Sequence, residues 1–441
     1  MIKIKINSKL LITNVLAVFF QMTILGQNTT TGLSLSLEQA TQYAIDNNRT
    51  LRNASLEVQK AKASQWQTLA TMLPQANMTF DYQNYLGYES EISMGGLPMK
   101  IPMNPNGTLG IQASVTLSGA QIVGTTLKKI AIEMTNIQQQ QSMQNIRSQV
   151  SQIYASILVM EKTQVLLDSS HSNLLRLSEI TENAVKAGAI EQIDADQISI
   201  QVSSMLNRIS ASKRAIETCY NSLRLMLGVD INTPITLTDN IDKVINPQTA
   251  ENLLQSDFNI NNNFSYQLLM KNKELTKRQT IMAAMEYLPS ITGFYQYTYK
   301  TYFGKEEGFN MTPPNVLGVN LSIPLWSSGA RAAKVREAQI AEKIMENTIS
   351  DTENALRTND KQLRYDLASA MDEYENQKNN IDVTQRVFEN MTNKFKYGTA
   401  SSSDLTNASN NLIAAQSTYI QAMLNMLNAQ IALENLLNNK N

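Results

Sequence analysis

Residues 405–436 read LTNASNNLIAAQSTYIQAMLNMLNAQIALENL, a stretch with neither glycine nor proline. Apolar or small residues recur after three and then four positions, which is the spacing of a coiled-coil seam. The seam consists of Leu405, Ala408, Leu412, Ala415, Tyr419, Ala422, Met426, Ala429, Leu433 and Leu436. Alanine at one seam position and a larger residue at the other let two helices approach closely. The stretch therefore predicts a long helix packed against other helices.

The same seam occurs earlier in the chain, about 210 residues upstream, which is a long period typical of a tandem duplication. Its positions are Ala195, Ile198, Val202, Met205, Ile209, Ser212, Ile216, Cys219, Leu223 and Met226. Sequence landmarks return at a similar offset, since Leu73-Pro74 recurs as Leu288-Pro289 and Leu109-Gly110 as Leu317-Gly318. The chain is therefore predicted to contain one structural unit twice.

Long segments of the chain lack both helix-breaking residues. All 17 glycines and 10 prolines lie outside six segments, which are 33–73, 125–187, 189–227, 248–288, 330–397 and 399–441. Glycine costs about 1 and proline about 3 kcal/mol inside a helix, so these segments predict helices. At about 1.5 Å per residue the two longest would reach roughly 95 to 100 Å, which is too long for one globular core. We therefore expect a coiled coil or a tube of helices.

Between the first and second long helices of each repeat, apolar and polar residues alternate as in half-buried strands. The apolar positions are Ala76, Met78, Phe80 and Tyr82, then Leu109, Ile111, Ala113, Val115 and Leu117, then Tyr295, Tyr297 and Tyr299, then Leu317, Val319, Leu321 and Ile323. Each repeat is thus predicted to hold two strands of about ten residues joined by a long loop, a pattern typical of transmembrane barrel strands. A small soluble sheet packed on the helices would alternate in the same way.

Four strands are too few to close a barrel, and lipid does not tolerate open sheet edges. Either the sheet is soluble, or several chains share one barrel.

The N-terminus predicts export. Lys3, Lys5 and Lys9 precede a mainly apolar run over residues 10–25, and Gly26-Gln27 follows as a cleavage point, so residues 1–26 are interpreted as a signal peptide. The formal net charge of the full chain is -1. Losing three lysines makes the mature chain more acidic, so nucleic acid is not an expected partner.

The residues that most often carry catalysis are scarce. Cys219 is the single cysteine, and the corresponding position in the second repeat is Ala429, so a packing role is expected. His171, the single histidine, also falls on a seam position and is interpreted as structural. The sequence contains no Ser/His/Asp set, Cys/His cluster or phosphate loop, which argues against an enzyme such as a helical periplasmic hydrolase. No cofactor or metal is expected.

The chain resembles the TolC-like outer membrane efflux protein family over essentially its whole mature length. The resemblance rests on an ordered set of short motifs: Leu37-Glu38-Gln39-Ala40 with Asn47-Asn48 and Leu51, the two Leu-Pro pairs, Pro324-Leu325-Trp326-Ser327-Ser328-Gly329 at a strand-to-helix turn, and the glycines at 188 and 398. The first repeat departs at that turn, where Leu117-Ser118-Gly119-Ala120 has no proline.

The resemblance implies a mainly α protein with a small β part. It implies a homotrimer in which each protomer gives four strands to a shared twelve-stranded barrel and its long helices to a periplasmic tunnel. Substrates would pass through this outer membrane exit duct without being transformed. The implied partners are outer membrane lipid, a periplasmic adaptor protein and an inner membrane pump.

Within that frame the chain divides into four parts. These are the signal peptide over 1–26, a first repeat over 27–230, an inter-repeat equatorial linker over 231–262 and a second repeat over 263–441. The linker is placed by its Asn, Asp and Thr content and by Pro234 and Pro247.

Two short turns between long helices are the candidate docking sites for the adaptor. They consist of Ala187, Gly188, Ala189 and Ile190 in the first repeat, and of Tyr397, Gly398, Thr399 and Ala400 in the second. Glycine at such a position also predicts a left-handed helix C-cap, and the polar residues that follow predict the next N-cap.

The resemblance also implies a periplasmic aperture near these turns. An acidic pair that rings the aperture in relatives corresponds to Asp404 and Asn407 here, so the second position is neutral. Of three residues that lock the closed aperture in relatives, Asp194 matches, while Phe395 and Ala400 occupy the other two positions. The alternative to the duct is a periplasmic coiled-coil scaffold with a soluble β tip.

Overall fold

The computed structural model describes residues 32–94, 97–303 and 312–438, and it is mainly helical with a small β part, as predicted. The predicted signal peptide lies outside the described residues. The helices are α1 Leu37–Asn47, α2 Arg49–Ala70, α3 Gly119–Lys186, α4 Gln192–Leu227, α5 Ile241–Val244, α6 Pro247–Gln255, α7 Phe264–Met285, α8 Ala330–Lys396 and α9 Ser402–Leu437. The strands are β1 Leu33–Leu35, β2 Gln75–Gln83, β3 Glu89–Met94, β4 Leu97–Pro102, β5 Asn106–Leu117, β6 Ile235–Leu237, β7 Ser290–Tyr302 and β8 Asn315–Ser322.

The four longest helices follow four of the six predicted breaker-free segments, but segments 33–73 and 248–288 are each divided between two shorter helices, so a single long helix was wrong there. α3 contains 68 residues and α8 contains 67, and each ends just before the predicted glycine turn. α4 and α9 contain 36 residues each. No helix in the described part of the chain is both long and apolar enough to cross a bilayer.

The predicted seams point into the protein. In α9, eight of the ten seam residues are buried, and Tyr419 and Ala429 are half-buried. In α4, five seam residues are buried and the others are half-buried. The three-and-four spacing therefore identified the packed faces of both helices correctly.

The chain forms two compact units, and each takes segments from both halves of the sequence. The first comprises residues up to 48 with 146–254 and 366–431, and the second comprises 49–145, 255–365 and 432 onward. Because each unit combines both repeats, the compact units do not coincide with the sequence repeats.

The first unit has a core between four helices. Its apolar cluster takes residues from α3, α4, α8 and α9: Leu174, Leu177, Ile198, Met205, Ile209, Phe388, Leu405, Ala408 and Leu412. The same unit holds a parallel pairing of β1 with β6, in which Leu33 is opposite Ile235. This pairing was not predicted, because three-residue strands leave no periodic pattern in the sequence.

The second unit contains an antiparallel four-stranded sheet in the order β2-β5-β7-β8. The register places the alternating apolar residues of both repeats on the same face. Phe80 is opposite Leu109, which is opposite Tyr299, and Tyr295 is opposite Leu317. The polar residues lie together on the other face. The sheet thus has one apolar and one polar face, with β2 and β8 at its edges.

The long loop predicted between β2 and β5 is partly wrong, because it contains the antiparallel hairpin of β3 and β4. The glycines and prolines suggested a loop. However, β4 pairs with β3 alone in the described sheets, so Pro98 and Pro102 fit a strand with a free edge. Lys100 of β4 lies 3.8 Å from the Glu89 carboxylate and 3.7 Å from that of Glu91, both on β3.

Candidate functional sites: the helix turns and the exposed sheet face

Both glycine turns have the conformation that the sequence predicts. Gly188 has φ of 73° and Gly398 has φ of 68°, in the left-handed region that favours glycine. After α3, the Ala189 amide donates to the Ala184 carbonyl at 2.9 Å, and after α8 the Thr399 amide donates to the Lys394 carbonyl at 2.9 Å. A hydrogen bond from an amide to the carbonyl five residues earlier is characteristic of a Schellman cap, so each glycine ends its helix.

The two turns expose matching positions. Ala187, Gly188 and Ala189 are exposed and Ile190 is half-buried, and the residues of the second turn follow the same order from Tyr397 to Ala400. The Tyr397 side chain is 82% exposed. A Cβ built on either glycine meets no atom within 4 Å. Both turns are therefore open to contact from outside the chain.

Asp404 belongs to the cap of α9. The Asp404 amide donates to the Ser401 hydroxyl oxygen at 3.1 Å, and its carboxylate accepts from the Ser401 hydroxyl at 2.7 Å and the Ser401 amide at 3.1 Å. This reciprocal pairing is a capping box. The two hydrogen bonds from Ser401 lower the pKa of the Asp404 carboxyl, because they stabilise its charged form. The carboxylate is exposed and ionised at neutral pH.

The first repeat begins its helix differently. Glu191 is the N-cap of α4 and makes no side-chain cap hydrogen bond, and Asp194 in the first turn is half-buried. Asn407 is exposed on α9. Phe395, at one of the lock positions, packs against the apolar cluster of the first unit. That position therefore contributes apolar packing in this chain.

The apolar face of the four-stranded sheet is exposed. The exposed fraction is 68% for Phe80, 83% for Leu317 and 76% for Val319. Tyr299 and Ile111 on the inner strands are also exposed. An apolar surface of this extent marks a contact with another protein or with lipid. The alternation predicted the face, but the sequence did not reveal that the helices leave it uncovered.

The single cysteine and the single histidine are both partly buried. Cys219 is half-buried, its Sγ lies 3.7 Å from the Met160 Sδ, and burial raises the pKa of its thiol. A raised pKa keeps the thiol protonated and unreactive. His171 is half-buried, at its predicted seam position. In the described ranges no group of His, Cys, Asp and Glu side chains is arranged to hold a metal ion.

The family model described as outer membrane efflux protein matches residues 40–229 and 275–439, which is most of the chain. The chain belongs to the outer membrane efflux protein family. The predicted resemblance is confirmed.

Solved structures with the same fold include a protein that forms a transmembrane channel and two outer membrane proteins. CusC is 17% identical with a TM-score of 0.74, over 94% of this chain and 95% of its own. VceC from Vibrio cholerae is 14% identical with a TM-score of 0.71, over 91% and 96%. The open-state MtrE channel of Neisseria gonorrhoeae is 14% identical with a TM-score of 0.67, over 91% and 88%. No curated protein sequence matches the chain significantly.

Proposed function

We propose that the chain forms a homotrimeric exit duct in the outer membrane of a Gram-negative bacterium. Each protomer gives four strands to a shared twelve-stranded barrel and its long helices to a tunnel through the periplasm. Substrates pass through passively, in an efflux or type I secretion system. The observation that carries the proposal is the exposed apolar face of a sheet whose two edge strands each have one free side.

The free edges of the four-stranded sheet explain why several chains are needed to close a barrel. Unpaired backbone N–H and C=O groups cost several kcal/mol each in hydrocarbon, so a spanning sheet must close on itself. β2 and β8 each have one strand neighbour in the described sheet. Pairing β8 of one protomer with β2 of the next removes both free edges of the four-stranded sheet, and three copies complete a barrel of twelve strands.

The exposed face argues against the alternative scaffold with a soluble β tip. A soluble sheet would cover its apolar face with helices, because each exposed large side chain forgoes about 1.5 to 3 kcal/mol of burial. Phe80, Leu317 and Val319 are more than half exposed instead. Lipid is the environment in which these side chains are favourable.

Two neighbouring residues of β8 provide a matched test of the membrane contact. Val319 lies on the apolar face and Asn320 on the polar face, and both are exposed. Arg at the lipid-facing bilayer midplane costs about 2 to 4 kcal/mol, whereas lumen-facing substitutions are tolerated. We expect Val319→Arg to abolish most of the membrane-inserted trimer and Asn320→Arg to leave it intact.

The measurement is outer membrane fractionation followed by heat-modifiable gel migration of the detergent-extracted trimer. Equal insertion of the two variants would contradict the lipid contact. A monomer that stays soluble after signal cleavage would contradict the proposed function as a whole.

We further propose that the two turns, 187–190 and 397–400, dock end-on against a periplasmic adaptor, which couples the duct to an inner membrane pump. The exposed positions are small or uncharged, and the space around each glycine is open. Such a surface fits another helical hairpin, because no charge has to be desolvated on contact.

The docking proposal has a control within the same residue. Any residue that replaces Gly188 must adopt the same left-handed φ, so Gly188→Ala introduces the backbone strain alone. Gly188→Trp introduces the same strain and also adds bulk in the open space. We expect Trp to reduce photo-crosslinking from position 187 to the adaptor several-fold and Ala to preserve most of it. The trimer should assemble in both variants. Equal crosslinking in both would show that the turn does not dock.

Asp404, Asn407 and Asp194 are proposed to line the aperture at the periplasmic end of the duct. Asp404 and Asn407 are exposed on α9 and the Asp404 carboxylate is ionised, as a charged ring requires.

A further inference from the structure

The polar face of the four-stranded sheet carries very little charge. The register assigns to this face every second residue within positions 75–83, 106–116, 290–302 and 316–322. Among these described positions only Asp81 and Lys300 are charged, and most of the others are Asn, Gln, Ser or Thr. These two residues therefore determine the charge of the face.

The two charged residues lie in one row across the strands. Asp81 of β2 is opposite Thr108 of β5, and Thr108 is opposite Lys300 of β7. Because neighbouring strands are about 4.8 Å apart, the backbone positions of Asp81 and Lys300 are about 10 Å apart. Both residues lie toward the end of the sheet that is farther from the helices, since α2 precedes β2 and α7 precedes β7. The row is therefore near one end of the sheet.

The Lys300 side chain is held by a neighbour on its own strand. Its Nζ lies 5.2 Å from the centre of the Tyr302 ring, a distance at which the ring attracts a cation. The ammonium group is therefore directed along β7. Asp81 is exposed and Lys300 is half-buried. A solute beside the polar face can thus meet each of the two charges.

We propose that Asp81 and Lys300 form a charge-balanced filter in the lumen of the barrel, at its outer end. The proposal rests on the duct proposed above, because the polar face lines the lumen when the apolar face meets lipid. A trimer brings equal numbers of carboxylate and ammonium groups to the filter. Anionic groups of the cargo bind transiently at Lys300 and cationic groups at Asp81. The outer end of the duct therefore admits solutes of either charge, unlike an aperture lined by Asp404 alone.

The balance depends on the distance over which the charges act. At physiological ionic strength the Debye length is about 8 Å, so a group of the cargo senses mainly the nearer of the two residues. In about 0.01 M salt the Debye length is about 30 Å, so a multivalent ion in the lumen senses their sum. Removing one partner leaves charges of one sign, which attract ions of the opposite sign between low-dielectric walls.

Neutral substitutions of each partner test the balance. Lys300→Gln and Asp81→Asn each remove one charge with little change in size. Lys300→Arg is the matched control that keeps the charge, and the double variant Asp81→Asn/Lys300→Gln restores the balance without either charge. Purified trimers are recorded in planar bilayers in about 0.01 M salt, where the probe ion senses the sum. Hexaamminecobalt(III) or tripolyphosphate is added on the side of the outer end of the barrel.

We expect Lys300→Gln to strengthen block by the trivalent cation about tenfold, and Asp81→Asn to strengthen block by the polyanion about tenfold, at the lower end of what charge focusing provides. The control and the double variant should behave like the wild type. Unchanged block in both single variants, measured on conducting trimers, would overturn the filter and leave the duct intact. Persistence of either new block in the double variant would also overturn it. Failure of the wild type to form channels would remove the proposed function together with the filter.

Discussion

Gly228→Ala is expected to lower the free energy of unfolding by about 3 kcal/mol, because strain and a backbone clash combine at this position. Gly228 ends α4 with φ of 72°, and a Cβ there would lie 2.8 Å from the Asn47 carbonyl oxygen. The neighbouring Asn48 side chain donates to the Met226 carbonyl at 2.8 Å, so the junction of α1 and α2 is held against this helix end. Added volume must therefore displace backbone.

Gly188→Ala is the matched control. Gly188 has nearly the same φ, 73°, but no atom lies within 4 Å of the added Cβ. The left-handed conformation alone costs about 1 kcal/mol. Urea unfolding of the detergent-solubilised protein, followed by far-ultraviolet circular dichroism, measures both variants. Equal losses of stability would contradict the close approach at Gly228 and leave only the φ penalty.

The helical part of the fold could be predicted because its information is local and periodic. The seam from Leu405 to Leu436 gave the packed face, and the glycines at 188 and 398 gave the helix ends. Both signals depend on residues within one or two turns of helix, so they can be recognised in the sequence without knowledge of distant contacts. The same holds for the two faces of the strands, because side chains alternate strictly along a strand.

Features that depend on distant contacts could not be predicted. The β1 and β6 pairing joins residues about two hundred positions apart through three-residue strands, which carry no periodic signal. The hairpin of β3 and β4 was hidden by its prolines. The N-cap residue explains why Asp404 belongs to a capping box and Asp194 does not. The second repeat has Ser401, whose hydroxyl pairs with Asp404, where the first repeat has Glu191, which makes no side-chain cap hydrogen bond.

The exposure of the sheet face was also beyond sequence analysis. Alternation from Leu317 to Ile323 predicted that one face is apolar, but an apolar face covered by helices has the same sequence pattern. The structure distinguishes the two cases through the exposed side chains of Phe80 and Val319. Trp326 shows the same limit, because a tryptophan after a strand fits a core position equally well until its surroundings are known.

The gate of the duct is expected to depend on the charge of Asp404. In the proposed homotrimer, three copies of this carboxylate would lie around one axis, and like charges at a narrow mouth attract cations and focus the field. We expect cation selectivity and block by trivalent cations added on the periplasmic side. Asn407 is neutral, so the single ring should bind such cations more weakly than two acidic rings would.

Substitutions at the capping box separate charge from helix capping. Asp404→Asn removes the charge but keeps a side-chain oxygen that can accept from Ser401, whereas Ser401→Ala removes the hydroxyl from the pairing and keeps the charge. We expect Asp404→Asn to weaken trivalent block about tenfold, at the lower end of what charge focusing provides, and Ser401→Ala to preserve it. Asn407→Asp should strengthen the block. The measurement is single-channel recording of purified trimer in planar bilayers. If selectivity and block survive in Asp404→Asn but are lost in Ser401→Ala, Asp404 acts only as a helix cap and the charged ring is wrong.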